Sequence, residues 1–285
     1  MFPMGMSREI DVMHLGRARV ICAHELDGLI IDPGPTSCLD TLLEALGGEQ
    51  PRALLLTHIH LDHAGASGAL VQRFPHLPIY VHERGAPHMV DPSKLMKSAT
   101  QLYGDDMDRL WGAMVPVPEQ NIRALSGGET VEGLHVEYTP GHASHHVTYF
   151  DEDAGDAYVG DVGGVRIPPS GFVMAPTPPP DIDLEKWSAS LDIVESRKPQ
   201  RLRLTHFGAV DNVDEHITQM RHRLQAWGEV AKSADLDRFV EVIEAETKAS
   251  AGDADPGAYF QAAPPDQLYQ GLARYWSKKA EREAA

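Results

Sequence analysis

Four potential metal ligands crowd into six residues at His58-Ile59-His60-Leu61-Asp62-His63. Imidazole and carboxylate are the donors that zinc, iron and manganese accept. Neighbours on an extended strand point to opposite faces, so Asp62 and His63 cannot share a target from a strand. From a loop turning into a helix they can face two ions side by side. Two ions about 3.5–4 Å apart need six or seven ligands and one carboxylate between them. Four further segments complete that inventory: IDPG with Asp32, YTPGHASHH with His142, YVGDVGG with Asp161 and LRLTHFG with His206. In each, an apolar run leads into a His or Asp where a strand should stop. A rigid sheet presents such strand-end side chains to a shared cleft.

The elements that must do this positioning can be outlined from the pattern. Residues 8–32 read as two or three strands, and IDPGPTS turns the chain. Ser37 is the expected N-cap of a helix near 38–47, stopped by Gly47-Gly48. ALLLT (53–57) suits a buried strand, GASGALVQRF a helix and PIYVH (78–82) a strand. Residues 84–115 carry Leu95, Met96, Leu102, Met107, Leu110, Trp111 and Met114 at helical spacing, which predicts a helical insertion. Strands return over 121–161, followed by a proline-rich loop at 166–181. Asp181 or Asp183 is expected to cap a helix at 184–197, and RLRLT (201–205) is read as the last strand. Residues 213–285 read as helical, with a break at 251–257. Two blocks of strands among helices predict an α/β or α+β sandwich.

HIHLDH, with Asp32, His142, Asp161 and His206 in order around it, resembles the motif set of the metallo-β-lactamase-fold hydrolases. That family includes glyoxalase II-like thioesterases, lactonases, phosphodiesterases and persulfide dioxygenases. The resemblance spans about residues 8–210 and is closest to the glyoxalase II-like branch. It implies an α/β (α+β) fold, the four-layer αββα sandwich. Residues 1–212 would form that domain, with the helical insertion at 84–115, and 213–285 a helical C-terminal extension packed on it. It further implies that His58, His60 and His142 hold one ion, that Asp62, His63 and His206 hold a second, and that Asp161 bridges them. Asp32, and by analogy His146, would support the ligands from behind. The implied nucleophile is a hydroxide between two divalent ions, zinc foremost, with iron or manganese as alternatives. Asp62 is the candidate to accept or return a proton.

The implied activity is hydrolysis of a small ester, thioester, lactone or phosphoester. The alternative on the same fold is a mononuclear iron oxidoreductase of the persulfide dioxygenase kind. Glyoxalase II relatives carry a Lys-Tyr segment after the bridging Asp, and many lactonases a Tyr; here GDVGGVRIPPSG has Arg166 and no Tyr. Class B β-lactamases lack the Asp62-type residue, and RNA-processing relatives carry a large extra nuclease domain. The expected substrate pocket is walled by the insertion and the proline-rich loop, with Phe172 and Met174 as apolar wall and Arg166 as an anion contact.

Composition agrees with a small-molecule enzyme. The chain has 285 residues, 42% hydrophobic and 24% charged, enough for a sizeable core. Its formal net charge of −17 repels phosphate backbones and anionic lipid, so neither nucleic acid nor membrane is an expected partner. No apolar run approaches the roughly 18 residues of a spanning helix. The start, MFPMGMSREIDVMHL, lacks a secretory pattern, and Cys22 and Cys38 are the only cysteines. A cytoplasmic protein is therefore expected, and self-association into a homo-oligomer is compatible with the composition.

Overall fold

The computed structural model describes residues 7–284. Two six-stranded sheets lie face to face. The first comprises β1 (Arg8–Asp11), β2 (Cys22–Leu26), β3 (Leu29–Ile31), β4 (Ala53–Leu55), β5 (Ile79–His82) and β6 (Ile122–Leu125), in that spatial order. β1–β3 pair antiparallel and β3–β6 parallel. The second holds β7 (Thr130–Val131), β8 (Leu134–Tyr138), β9 (Val147–Asp151), β10 (Asp156–Tyr158), β11 (Arg201–Leu204) and β12 (Gly208–Val210). Only β10 and β11 run parallel in it. β12 corrects the expectation that RLRLT is the last strand: after β11 the chain doubles back and GAV pairs along it.

The period-2 alternation of strand side chains builds two cores. Leu29, Ile31, Ala53 and Leu55 of the first sheet meet Val136, Val147, Tyr149 and Tyr158 of the second. The opposite faces, Ile30 and Leu54 on one side and Phe150, Ala157, Leu202 and Leu204 on the other, pack under helices. α1 (Leu39–Ala45), α2 (Leu61–Ala64) and α3 (Ser67–Arg73) follow the first strands. The insertion holds α4 (Ala86–Val90), α5 (Ser93–Tyr103) and α6 (Met107–Leu110), and Leu61, Met107 and Trp111 form a small apolar cluster there.

α7 (Leu184–Ser196) starts at Asp183, whose carboxylate accepts from Lys186 N at 3.2 Å. Asp181 is not the cap; it accepts from the Ser144 hydroxyl at 2.6 Å. Ser37 likewise does not cap α1, because its hydroxyl donates to Leu110 O of the insertion at 2.7 Å. Then come α8 (Val213–Ser233), α9 (Leu236–Ser250), α10 (Pro256–Ala262) and α11 (Pro265–Glu283). Trp227, Phe239, Tyr259 and Leu268 join the same apolar cluster as Trp187, Leu202 and Leu204. Among the described residues, no helix is long and apolar enough to cross a membrane.

Candidate metal centre

The segments expected to carry ligands leave their strands at one end of the sandwich. Asp32 follows β3, His58–His63 follow β4, His142 follows β8, Asp161 follows β10 and His206 follows β11. Their side chains meet in three overlapping groups: His58, His60 and His142; His58, His63 and Asp161; Asp62, His63 and His206. Within each group the potential ligand atoms lie within 4.8 Å of one another.

The outward-facing nitrogens explain which ring atoms face inward. Thr57 hydroxyl donates to Asp32 Oδ2 at 2.7 Å, so its oxygen is free to accept from His58 Nδ1 at 3.1 Å. His63 Nδ1 donates to Asp32 Oδ2 at 2.7 Å, His142 Nδ1 to Pro176 O at 2.9 Å and His206 Nδ1 to Val20 O at 2.6 Å. With Nδ1 protonated in all four, each ring in its neutral form turns an Nε2 lone pair inward. His58, His63 and His206 Nε2 and Asp161 Oδ1 are buried with no hydrogen-bond partner. Asp161 approaches His63, His142 and His206 Nε2 at 3.2, 3.3 and 3.5 Å. Buried lone pairs left unpaired are costly. A cluster of inward nitrogens around carboxylates is chemically completed by cations, so these residues fit divalent metal.

Electrostatics separates the two ends of the cluster. Burial, reinforced by neighbouring imidazoles, pushes His58 well below the usual histidine range and His60 down to about 4. Burial lowers His142 as well. His63 and His206 are equally buried, but Asp161, Asp32 and Asp62 outweigh desolvation at His63, and Asp161 and Asp62 do so at His206. Both are raised. Asp161 and Asp62, despite burial, are held below the carboxylate range by these imidazoles.

Asp32 lies behind the centre, fully buried, and accepts from Thr57 N, Thr57 hydroxyl, Thr205 hydroxyl and His63. It holds a left-handed conformation, φ 51°, which Asp tolerates better than most residues. His146 is buried with Nδ1 on the Thr139 hydroxyl at 2.9 Å, and its ring stacks 5.2 Å from that of His58.

A cleft of about 560 Å³ opens onto His60, Asp62 and Asp161. The insertion lines it through Leu95, Leu102, Tyr103 and Trp111. The proline-rich loop contributes Pro176 and Pro178–Pro180, further along than expected. Phe172 and Met174 do not line it. Met174 pairs its backbone with Val165 at 2.9 Å in both directions, which turns this part of the loop back onto the body. Both side chains are buried in the core, Phe172 edge-on to Tyr259. Arg166 is also engaged elsewhere, donating to Asn212 Oδ1 at 2.7 Å and Ser170 O at 3.2 Å. Contributors that escaped the sequence reading include His145, whose spacing after His142 was its only signal, Asp181, and the α10–α11 junction with Ala263, Pro264 and Leu268.

Comparison with known proteins agrees with this architecture. The family model described as "Metallo-beta-lactamase superfamily" matches residues 19–206. The metallo-beta-lactamase fold-containing protein ST1585 of Sulfurisphaera tokodaii is 26% identical over 222 residues, 74% of this chain and 80% of that protein. A crystal structure of TTHA1623 in a di-iron-bound form is 25% identical, with TM-score 0.51, covering 77% of this chain and 96% of that one. A hydroxyacylglutathione hydrolase of Enterobacter is 30% identical over 122 residues, 43% of this chain and 38% of that protein.

Proposed function

This chain belongs to the metallo-beta-lactamase superfamily, and on that premise we propose that it is a hydrolase using two divalent ions to cleave an ester-type bond in a small molecule. The observation that carries the reading is the set of inward-turned buried atoms that close on one another without forming hydrogen bonds, His58, His63 and His206 Nε2 with Asp161 Oδ1. His58, His60 and His142 would hold one ion, and Asp62, His63 and His206 the other, with Asp161 shared. The di-iron form of TTHA1623 supports two ions; zinc is the first ion to test here, followed by iron and manganese. Such ions polarise an acyl or phosphoryl oxygen and lower the pKa of water.

The remaining work falls to the chain. Asp32 fixes the His63 ring and its proton. Asp62 lines the cleft and is the more open of the two central carboxylates, 19% exposed against 5% for Asp161, so it is the one placed to exchange a proton with substrate. Leu95, Leu102 and the prolines of 178–180 exclude water around the bound molecule. A complete Asp62, His63 and His206 group favours this reading over a mononuclear iron oxidoreductase.

The test is metal analysis of the purified protein followed by a screen of esters, thioesters, lactones and phosphodiesters, with and without chelator. Two ions per chain and chelator-sensitive hydrolysis are expected. One iron per chain with oxygen uptake on a persulfide would overturn the reading.

A further inference from the structure

The cleft has a buried floor and an exposed mouth of opposite character. Asp161 on the floor is buried, while Arg84, Lys94 and Arg274, which line the same cleft, are exposed. These three cations come from separate places: the turn after β5, the first turn of α5 and the middle of α11. Their neighbours are known. The Arg84 guanidinium lies over the Tyr138 ring at 5.7 Å, and Arg274 Nε donates to Pro180 O at 3.3 Å. None of the three forms an ion pair with a carboxylate among the described residues, although acidic residues outnumber basic ones by 42 to 25.

Lys94 has Asp91 near it, whose carboxyl it helps to hold below the usual carboxylate range, yet the cleft still gathers three exposed cations from three elements of an acidic chain. Asp181 lines the same cleft and keeps its charge while accepting from Ser144 N and Oγ, so the three cations outnumber it there. Leu95, Leu102, Pro178 and Leu268 give the lining apolar surface, with polar Ser98, Gln101 and Gln267 among them. A molecule matching this order has a cleavable group at one end, an apolar body and an anion at the other. A neutral or cationic tail would gain nothing from these cations, which would stay with solvent and Asp181. At long range the net charge of −17 opposes anions, so the local cations must supply the recognition.

We propose that the substrate carries a carboxylate or phosphate at the end remote from the scissile bond, held at the mouth by Arg84, Lys94 and Arg274. This deepens the hydrolase reading of the same cleft and rests on it. Arginine is suited to such oxyanions because its guanidinium offers paired donors, with lysine as a point charge beside it.

The first experiment compares hydrolysis of three 4-nitrophenyl esters by the metal-loaded protein: a neutral butyrate, the glutarate half-ester and a phosphate-terminated butyrate analogue. An anionic ester should exceed the neutral one in kcat/KM by about 10-fold at low salt. The carboxylate and phosphate arms show which anion is preferred. In the Arg84→Gln/Lys94→Gln/Arg274→Gln variant the anionic-to-neutral ratio should fall to about one. A ratio near one in the native protein, or a ratio unchanged in the variant, overturns the proposal.

A second measurement stands apart from turnover. Calorimetric titration with adipate should give weaker binding in the variant by about 10-fold, with adipamide binding alike to both proteins. Equal adipate affinities overturn the mouth as an anion site even if no ester is cleaved. Loss of adipate affinity without hydrolysis of any ester keeps the anion site and overturns the hydrolase reading instead.

Discussion

Asp32 Oδ2 stands 2.7 Å from His63 Nδ1, both side chains fully buried. The same carboxylate accepts from Thr57 N and from the hydroxyls of Thr57 and Thr205. Asp32→Ala strips four donors of their acceptor in a site closed to water. We expect a loss of about 3–5 kcal/mol in unfolding free energy. Asp32→Asn keeps the shape and suits the left-handed backbone, but it presents an amide where His63 needs a charged acceptor. Its metal affinity should fall about 10–100-fold. Chelator competition and denaturant unfolding separate the two effects.

Asp161→Asn removes the carboxylate shared by His63, His142 and His206. Metal analysis should find one ion lost, and turnover should drop by more than about 100-fold. Far-ultraviolet circular dichroism should be unchanged. Two retained ions and full turnover would remove Asp161 from the shared position.

Acid should empty the centre in two stages. A proton on an imidazole blocks its metal bond, so a raised pKa lets protons compete at higher pH. His63 and His206 are raised by their carboxylates above 6.5, whereas His60 is lowered to about 4. The ion at Asp62, His63 and His206 is therefore the first to leave as pH falls through and below 6.5. An ion at His58, His60 and His142 should persist to lower pH, since all three imidazoles resist protonation. Equilibrium dialysis with metal analysis across this range should show a one-ion plateau; simultaneous loss of both ions would contradict the assignment.

Gly271→Ala sets two effects against each other. Alanine favours the helix by about 1 kcal/mol. Its Cβ, however, would stand 1.9 Å from Thr177 O, the backbone that leads into Pro178–Pro180. Either α11 or the loop must shift, and overpacking of that kind costs about 1–3 kcal/mol. The expected result is a lower Tm, together with a raised KM because the displaced loop lines the cleft.

Phe172→Ala should act on stability. Phe172 is buried under Tyr259 and beneath the Arg223 guanidinium at 4.9 Å. Truncation should cost about 3–5 kcal/mol while leaving relative rates among substrates unchanged, measured at a temperature where both proteins are folded.

The segments whose His and Asp side chains converge were legible because apolar strand runs end in His or Asp at each of them, and strand ends gather at one end of a sandwich. The walls of the cleft were much less so. Arg166, Phe172 and Met174 lie close to Asp161 in sequence, but the Val165–Met174 pairing decides which way the loop faces, and that pairing is tertiary. Ser37 reads as a cap, yet the insertion offers it the Leu110 carbonyl. β12 is three residues long with Gly at its start, too short for alternation to register. The placement of the α10–α11 junction over the cleft depends on helix packing across more than 80 residues, as in the Thr177 hydroxyl bond to Leu268 O.

The bonds that orient the centre also tie together distant parts of the chain. Thr205 reaches Asp32 across 173 positions, and His206 reaches Val20 across 186. Contacts of such sequence separation are slow to close, since the loop entropy between them is lost before they form. An emerging nascent chain has His58, His60 and His63 long before His206, so metal that arrives early meets an incomplete set of donors. Completion of the centre requires both sheets to dock and is therefore expected late in folding. Assembly of the whole donor set is then a check that the entire sandwich, from residue 20 to residue 206, has closed.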